Sequence, residues 1–309
     1  MKVYLEPPAQ IGRGIKRVAA AIAQFKPPSV EIVPTKDRAD LVIHHVAGLQ
    51  NFGEVPMHGE MERDQAAGRK SAIVQYCLRT SENPDTKWWR EHVWQHCGVV
   101  WSYYDIAAAL QEDGYLGEHL WFYHAPLGVD PIFHGSLADR PKKPIYLICT
   151  SGYIPETEGV LECVEAAKRV GGRVLHLGPS SLNLGPHVSY VEGVSDQQLA
   201  ALYKSCRHVA GLRRVEGFEL PAAEGLCSGA IPICFDQPHY KRWFEEAAYY
   251  VPEASPEQVT EELYELFQNP MRWLGQADVS LAQRKFSWPR VVKGFWDRVL
   301  HPTMTLTQG

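Results

Sequence analysis

Two glutamates, Glu216 and Glu224, stand with seven residues between them around Gly217-Phe218-Glu219-Leu220-Pro221. The order reads as a tight turn, a helix, a stop at Gly229 and a buried apolar strand. A helix N-terminus carries N–H groups without intrahelical acceptors and a partial positive charge. Gly217 lets the backbone approach a ligand closely. Pro221 suits a first helical turn, where its missing N–H costs nothing. Together these make an anion site ready for a phosphate, flanked by carboxylates that can accept hydrogen bonds from sugar hydroxyls. His44 and His45 close the apolar run Leu41–Val46. A neutral imidazole there can orient a hydroxyl or accept its proton near neutral pH. Strand side chains alternate, so one of the pair belongs to the sheet packing. Gly12-Arg13-Gly14 is a weak phosphate-loop signal. Lys16 and Arg17 follow it and read equally well as a solvated face. His92 and His96 are four apart, a spacing that can bind metal, but no third ligand is apparent.

These residues need elements that present strand ends. Candidate strands are Lys2–Leu5, Val30–Val33, Leu41–Val46, Ser71–Cys77, Gly98–Tyr103 and Trp121–Ala125. A first helix spans Gly14–Gln24 and is stopped by Pro27-Pro28. Residues 131–144 carry three prolines and read as a linker. A second alternation follows, with strands Ile145–Thr150, Arg173–Leu177, Ser189–Val191 and His208–Leu212 around helices Gly159–Arg169 and Ser195–Ser205. Ser195 is the expected N-cap of the latter. Strands alternating with helices argue for parallel sheets. A chain of 309 residues with 45% hydrophobic composition is long enough for two cored domains. Two doubly wound domains put their crevices at the carboxyl ends of the strands, and face to face these form one interdomain cleft.

Bulk properties exclude several classes. The net charge of −5 is not that of a basic nucleic-acid module. The N-terminal residues lack the apolar core of a signal peptide, and no apolar run approaches a membrane span. Seven scattered cysteines without a C-x-x-C pair suit reduced thiols in a cytoplasmic compartment.

The stretch from Arg213 to Ile233 resembles the E-x7-E segment of retaining nucleotide-sugar glycosyltransferases of the GT-B fold, with Glu219 in place of the usual second glycine. Other segments are similar in order and spacing: Trp101-Ser102-Tyr103-Tyr104-Asp105, Pro126-Leu127-Gly128-Val129-Asp130, Glu192-Gly193-Val194-Ser195 with Leu199 and Tyr203, and Phe286-Ser287-Trp288. The resemblance runs through nearly the whole chain, densest from about 98 to 235 and thin before 70. It implies an α/β GT-B architecture of two Rossmann-like domains facing a cleft. Residues 1–135 would form the acceptor domain, 141–287 the donor domain, and helix 288–301 would cross back onto the first. It also implies metal-independent, retaining transfer from a nucleoside diphosphate-sugar, a UDP-sugar such as UDP-glucose, with no other cofactor. The absence of any Asp-x-Asp string agrees with that.

By the same resemblance, Glu224 accepts the ribose hydroxyls and Glu216 contacts the donor sugar. Backbone N–H groups at Gly217, Phe218, Glu219 and Leu220 face the phosphates. Gly12, Arg13, Gly14, Gly152 and Glu192 belong to the donor surroundings. One departure matters. Tyr153 stands where the family has a phosphate-binding arginine, and Glu158 where it has a lysine. Arg213 and Arg214 are the candidates to replace them, because a guanidinium binds phosphate bidentately; Lys204 is a weaker one. No residue is an obvious nucleophile, which favours same-face attack with the leaving phosphate helping to deprotonate the acceptor.

Residues 75–80, with Trp89, Trp94 and the 100–105 segment, are similar to small glycosyltransferases of tailed bacteriophages, some of which decorate hydroxymethylated pyrimidines in DNA. Reaching a duplex base means extruding it and stacking it on aromatics. Trp88, Trp89, Trp94, Trp101, Tyr103, Tyr104 and Trp121 supply rings, although packing is the default for each. Arg13, Lys16, Arg17, Arg69, Lys70, Arg79 and Arg90 could meet DNA phosphates. A phage-encoded enzyme would act in the host cytoplasm. No basic amphipathic helix marks a membrane-docking face. A polysaccharide or small-molecule acceptor, a silent nucleotide-sugar-binding protein and a sugar epimerase remain as alternatives.

Overall fold

The computed structural model describes residues 1–6, 13–46, 57–75, 89, 93–105, 120–152, 154–214, 217–269 and 274–301. The chain divides into two compact units. The first comprises Met1–Gly128, Val215–Phe218 and Trp288–Gly309, the second Val129–Arg214 and Glu219–Ser287.

The first unit is built on six strands: β1 (Lys2–Leu5), β2 (Glu31–Ile32), β3 (Leu41–Val46), β4 (Lys70–Gln75), β5 (Val99–Ser102) and β6 (Trp121–His124). All pair in parallel in the order β2-β1-β3-β4-β5-β6. All six residues of β3 are buried, as expected for a parallel strand covered on both faces. One face carries α2 (Met57–Ala66), following α1 (Arg13–Gln24) in the chain. Its core joins Val46, Met61, Ile73, Trp89, Val93, Trp94 and Val100, with Trp89 and Trp94 stacked at 6.5 Å. The C-terminal helix Trp288–Leu300 also packs in this unit. Phe295 meets Trp101 at 5.5 Å, the Trp296 indole donates to the Ile22 carbonyl at 3.2 Å, and the Tyr123 hydroxyl donates to the Val291 carbonyl at 2.6 Å. Trp89, Trp94, Trp101 and Tyr103 are all at most 1% exposed. These four rings are therefore core, and they offer no stacking surface to a base.

The second unit repeats the plan with β7 (Tyr146–Ser151), α3 (Val160–Arg169), β8 (Val174–Leu177), β9 (Val188–Val191), α4 (Asp196–Lys204), β10 (Cys206–Gly211), α5 (Leu220–Cys227), β11 (Ile231–Phe235), α6 (Pro238–Phe244), β12 (Tyr249–Val251), α7 (Pro256–Gln268) and α8 (Gln276–Lys285). Its sheet is parallel in the order β12-β11-β10-β7-β8-β9. Ser195 caps α4 as expected, in a reciprocal box with Gln198. The proline-bearing stretch 131–144 is not a slack linker. Phe133 is buried against Tyr203, Ser228 donates to the Phe133 carbonyl, and the Arg140 guanidinium donates to the carbonyls of Lys204, Cys206 and Gly229.

The six described cysteines are free and buried, Cys97 in the first unit and Cys149, Cys163, Cys206, Cys227 and Cys234 in the second. Burial pushes the thiols of Cys97, Cys149, Cys163, Cys227 and Cys234 up. No helix among the described residues is long and apolar enough to cross a membrane.

Candidate functional site

In each sheet the strand order reverses once. The chain leaves β1 towards β2 on one side and towards β3 on the other. It leaves β7 towards β8 and β9, then returns to β10 on the opposite side. Open parallel sheets bind ligands beyond the strand carboxyl ends at such points. In the second unit the point lies between β7 and β10, where the loops carrying Gly152, Glu158, Arg213 and Arg214 emerge.

Three charged side chains meet there. Arg213 Nη2 lies 3.6 Å from Glu158 Oε1, and its Nε lies 3.5 Å from Glu219 Oε1. Glu219 is the N-cap residue of α5 and only 1% exposed. Its charge is favourable at the positive end of that helix. The other Glu158 oxygen accepts the Ile154 N–H at 2.8 Å. Gly152, at φ 148, makes this possible: a Cβ there would lie 1.8 Å from Glu158 Oε2. Beneath the loop, the Thr150 hydroxyl pairs with His176 Nδ1 at 2.9 Å. Burial lowers the His176 pKa, and its bond to the Gly152 backbone opposes that shift. His176 had no signal in the sequence beyond Gly178, whose missing side chain leaves room for the imidazole.

Arg214 is engaged elsewhere. Its Nη2 lies 3.4 Å from Glu162 Oε1 and 3.4 Å from the Ala254 carbonyl, and its guanidinium sits 4.8 Å from the Phe235 ring centre. Glu162 is 3% exposed, so the guanidinium balances a buried carboxylate. Glu224, also 3% exposed, accepts the Tyr203 hydroxyl at 3.3 Å. Glu192 lies exposed past the edge strand β9, two strands from β7. Lys204 ends α4. Leu220 opens α5.

Phe218 and Gly217 pack within the first unit. Phe218 meets Tyr103 at 5.9 Å, and a Cβ on Gly217 would lie 2.5 Å from Tyr104 Cε2. The close approach that Gly217 permits is thus to a ring. Glu216, Gly12, Tyr153 and His92 lie outside the described residues; Arg13 and Gly14 open α1. His96 ends a short 3-10 turn, with Nδ1 3.2 Å from Gln65 Oε1 and Nε2 3.6 Å from Glu62.

At the switch point of the first unit, His44 is 0% and His45 7% exposed. His44 Nδ1 donates to Glu6, the first residue past β1, and its Nε2 lies 3.6 Å from Asp64. Burial alone would lower the His44 pKa, but Asp64 and Glu6 outweigh it and raise it. His45, on the opposite face, is lowered to about 4 by burial and stays neutral at pH 7. Asp64 resists its own burial through His44, Lys36 at 2.9 Å and Arg69 at 3.0 Å, and is held at about 2. Glu6, His44 and Glu60 place ligand atoms within 4.8 Å of one another, a spacing that a metal could use. Lys36, 3.6 Å from Glu60, and the Glu6–His44 bond already serve these groups.

No family model and no curated protein matches the chain by sequence. Solved structures match by fold. Against pneumococcal GtfA, an O-GlcNAc transferase in complex with UDP and GlcNAc, the TM-score is 0.62 at 16% identity, covering 94% of this chain and 61% of GtfA. The chain therefore spans under two thirds of that protein. Against Anabaena HepE in complex with UDP-glucose the TM-score is 0.70 at 12% identity, over 97% of this chain and 99% of HepE. Against a glycosyltransferase from Rickettsia africae it is 0.68 at 12% identity, over 98% and 99%. At such identities the likeness speaks to the fold, and together with the two parallel six-stranded sheets it gives the chain the Rossmann-like, two-domain α/β architecture of the GT-B type.

Proposed function

We propose that the chain is a nucleotide-sugar-dependent glycosyltransferase, retaining and metal-independent, that holds its donor on the second unit. The observation that carries this reading is the switch point between β7 and β10. There a guanidinium, a glycine-bearing loop and the N-terminus of α5 converge on one place. Such a place suits a diphosphate leaving group, whose charge must be stabilised as the sugar departs. GtfA and HepE, which share the fold, hold UDP and UDP-glucose respectively. Arg213 is the phosphate cation in this reading, with N–H groups at the start of α5 beside it. Glu224 takes the ribose, with Tyr203 as its neighbour, and Glu216 takes the donor sugar. His45, held neutral, and His44 stand on the acceptor unit. The acceptor hydroxyl attacks from the face the diphosphate leaves, and the diphosphate receives its proton.

The acceptor tested first is a 5-hydroxymethylpyrimidine in DNA, with polysaccharide and small hydroxyl acceptors beside it. With four of the aromatic rings in the core, the DNA reading rests on the bacteriophage resemblance alone. A second reading, a donor-binding protein without turnover, is motivated by Tyr153 and Glu158 standing where the resemblance places the two phosphate cations that stabilise the leaving group.

The experiment is a screen of nucleotide sugars against plain and hydroxymethylated DNA and free sugars, read by mass. A hexose added to any acceptor, lost in Glu216→Ala, supports the enzyme and names its acceptor. Donor binding without any product, under every acceptor, selects the second reading. No binding of any nucleotide sugar overturns both.

A further inference from the structure

The two carboxylates beside Arg213 are two of the places where the sequence departs from the glycosyltransferase pattern, Tyr153 being another. Glu158 replaces a cation and Glu219 a glycine, and both come to the same guanidinium. They are not equivalent. Glu219 is 1% exposed at the start of α5, fixed where a carboxylate is favoured by the helix. Glu158 lies on the loop itself, its side chain 15% exposed. Its two oxygens take a guanidinium and a backbone N–H beside a glycine with no Cβ to keep them out. A phosphate of a bound donor would ask for the same partners: an arginine, a loop amide and the close approach that only glycine allows. Glu158 thus fills the place of an anion.

Resting on the donor site proposed above, we propose that Glu158 is a resident competitor for Arg213. A nucleoside diphosphate binds only when this carboxylate swings off Gly152 and Ile154 and releases the guanidinium. With Glu158 and Glu219 both charged against one arginine, the cradle is net negative, and a diphosphate brought beside it adds like charge. Glu158 is therefore a positioning residue that sets how tightly the phosphates are held. Uridine, which has no phosphate, does not compete with it.

The test is calorimetric titration of the full chain and of Glu158→Gln with UDP, inorganic pyrophosphate and uridine. Glutamine keeps an oxygen for the Ile154 N–H and removes the charge. UDP and pyrophosphate should bind Glu158→Gln at least about tenfold more tightly, with uridine unchanged. Adding Arg213→Gln should erase that gain. In turnover, the donor KM should fall several-fold with a smaller change in kcat. Glu158→Ala, compared with the parent in unfolding temperature, should move phosphate binding the same way and guards against a folding defect in one variant. Equal or weaker UDP binding in both variants, or uridine shifting in parallel, would overturn the competitor role and leave the donor site standing. If neither UDP nor pyrophosphate binds any variant or the parent, the donor site falls with it.

Discussion

Arg213 and Arg214 are neighbours in sequence with separate tasks, and substitution should separate them. Arg214→Met keeps the contact with Phe235 but leaves Glu162 buried without its cation. The pair is partly exposed, so the cost is about 2 kcal/mol, below that of a fully buried pair. Urea unfolding should show that loss, and Glu162→Gln in the same chain should recover most of it. UDP affinity should stay within about twofold of the parent, whereas Arg213→Met should lose it. A large loss of UDP affinity in Arg214→Met would make Arg214 the phosphate cation. His208 carries a prediction with a sign. It is 0% exposed between Tyr249 and Phe267, neither ring nitrogen has a hydrogen-bond partner among the described residues, and burial lowers its pKa to about 3. The folded state refuses a proton that the unfolded chain accepts near pH 6.5. Its stabilising effect is complete above that value and is lost as pH falls towards 3, about 2 kcal/mol between pH 7 and 5. His45 acts in the same direction, while the raised pKa of His44 acts oppositely, its effect fading as pH rises through the folded value. In His208→Phe, the unfolding free energies from urea titration at pH 7 and pH 5 should lie closer together by that amount; an unchanged gap would refute it. At this scale the sequence was half legible. Local chemistry such as the E-x7-E spacing and the odd Glu158 could be read. Partners such as Glu162 for Arg214, or His176 under Gly152, could not, because they are neighbours only after strands far apart in sequence pair.

Elements were read more faithfully, for physical reasons. β11 is a continuous apolar run, and all of β3, its two histidines included, is buried, because both strands are covered on both faces. The box at Ser195 is a local signal that needs no tertiary context. The stretch 131–144 reads as a linker in sequence, and its packing was not legible there, since prolines mark turns whether or not those turns are packed. One close contact sets how α5 lies on the sheet. A Cβ on Gly225 would fall 2.5 Å from Val209 Cγ1, so the helix sits tight on β10. Gly225→Ala should destabilise by about 1–3 kcal/mol despite its better helix propensity, because overpacking outweighs the roughly 1 kcal/mol gained. Val209→Ala, itself destabilising, should cost less when combined with Gly225→Ala than when made alone. Additive losses in urea would mean the helix is free to shift.

At the scale of the whole molecule, two parallel sheets, one in each unit, were foreseeable from the alternation of strands and helices. The path of the chain between them was not. It passes from one unit to the other after Gly128, Arg214, Phe218 and Ser287. Of the middle excursion the described residues are Gly217 and Phe218, which belong to the first unit. No pattern of apolar residues announces so short a detour, because it is decided by ring contacts such as Tyr103 with Phe218.

The buried thiols turn that division into something measurable. An alkylating reagent attacks the thiolate; all six thiols are shielded, and burial also makes those of Cys97, Cys149, Cys163, Cys227 and Cys234 resistant to ionisation. In native buffer Cys149, Cys163, Cys206, Cys227 and Cys234 should label only as fast as the second unit opens, and Cys97 only as fast as the first. Peptide mass mapping over time would then time the two openings separately. Prompt labelling of all six would show that the burial is not there. Adding UDP should slow the five clocks of the second unit more than that of Cys97, so the protein carries its own gauge of which half the nucleotide holds shut.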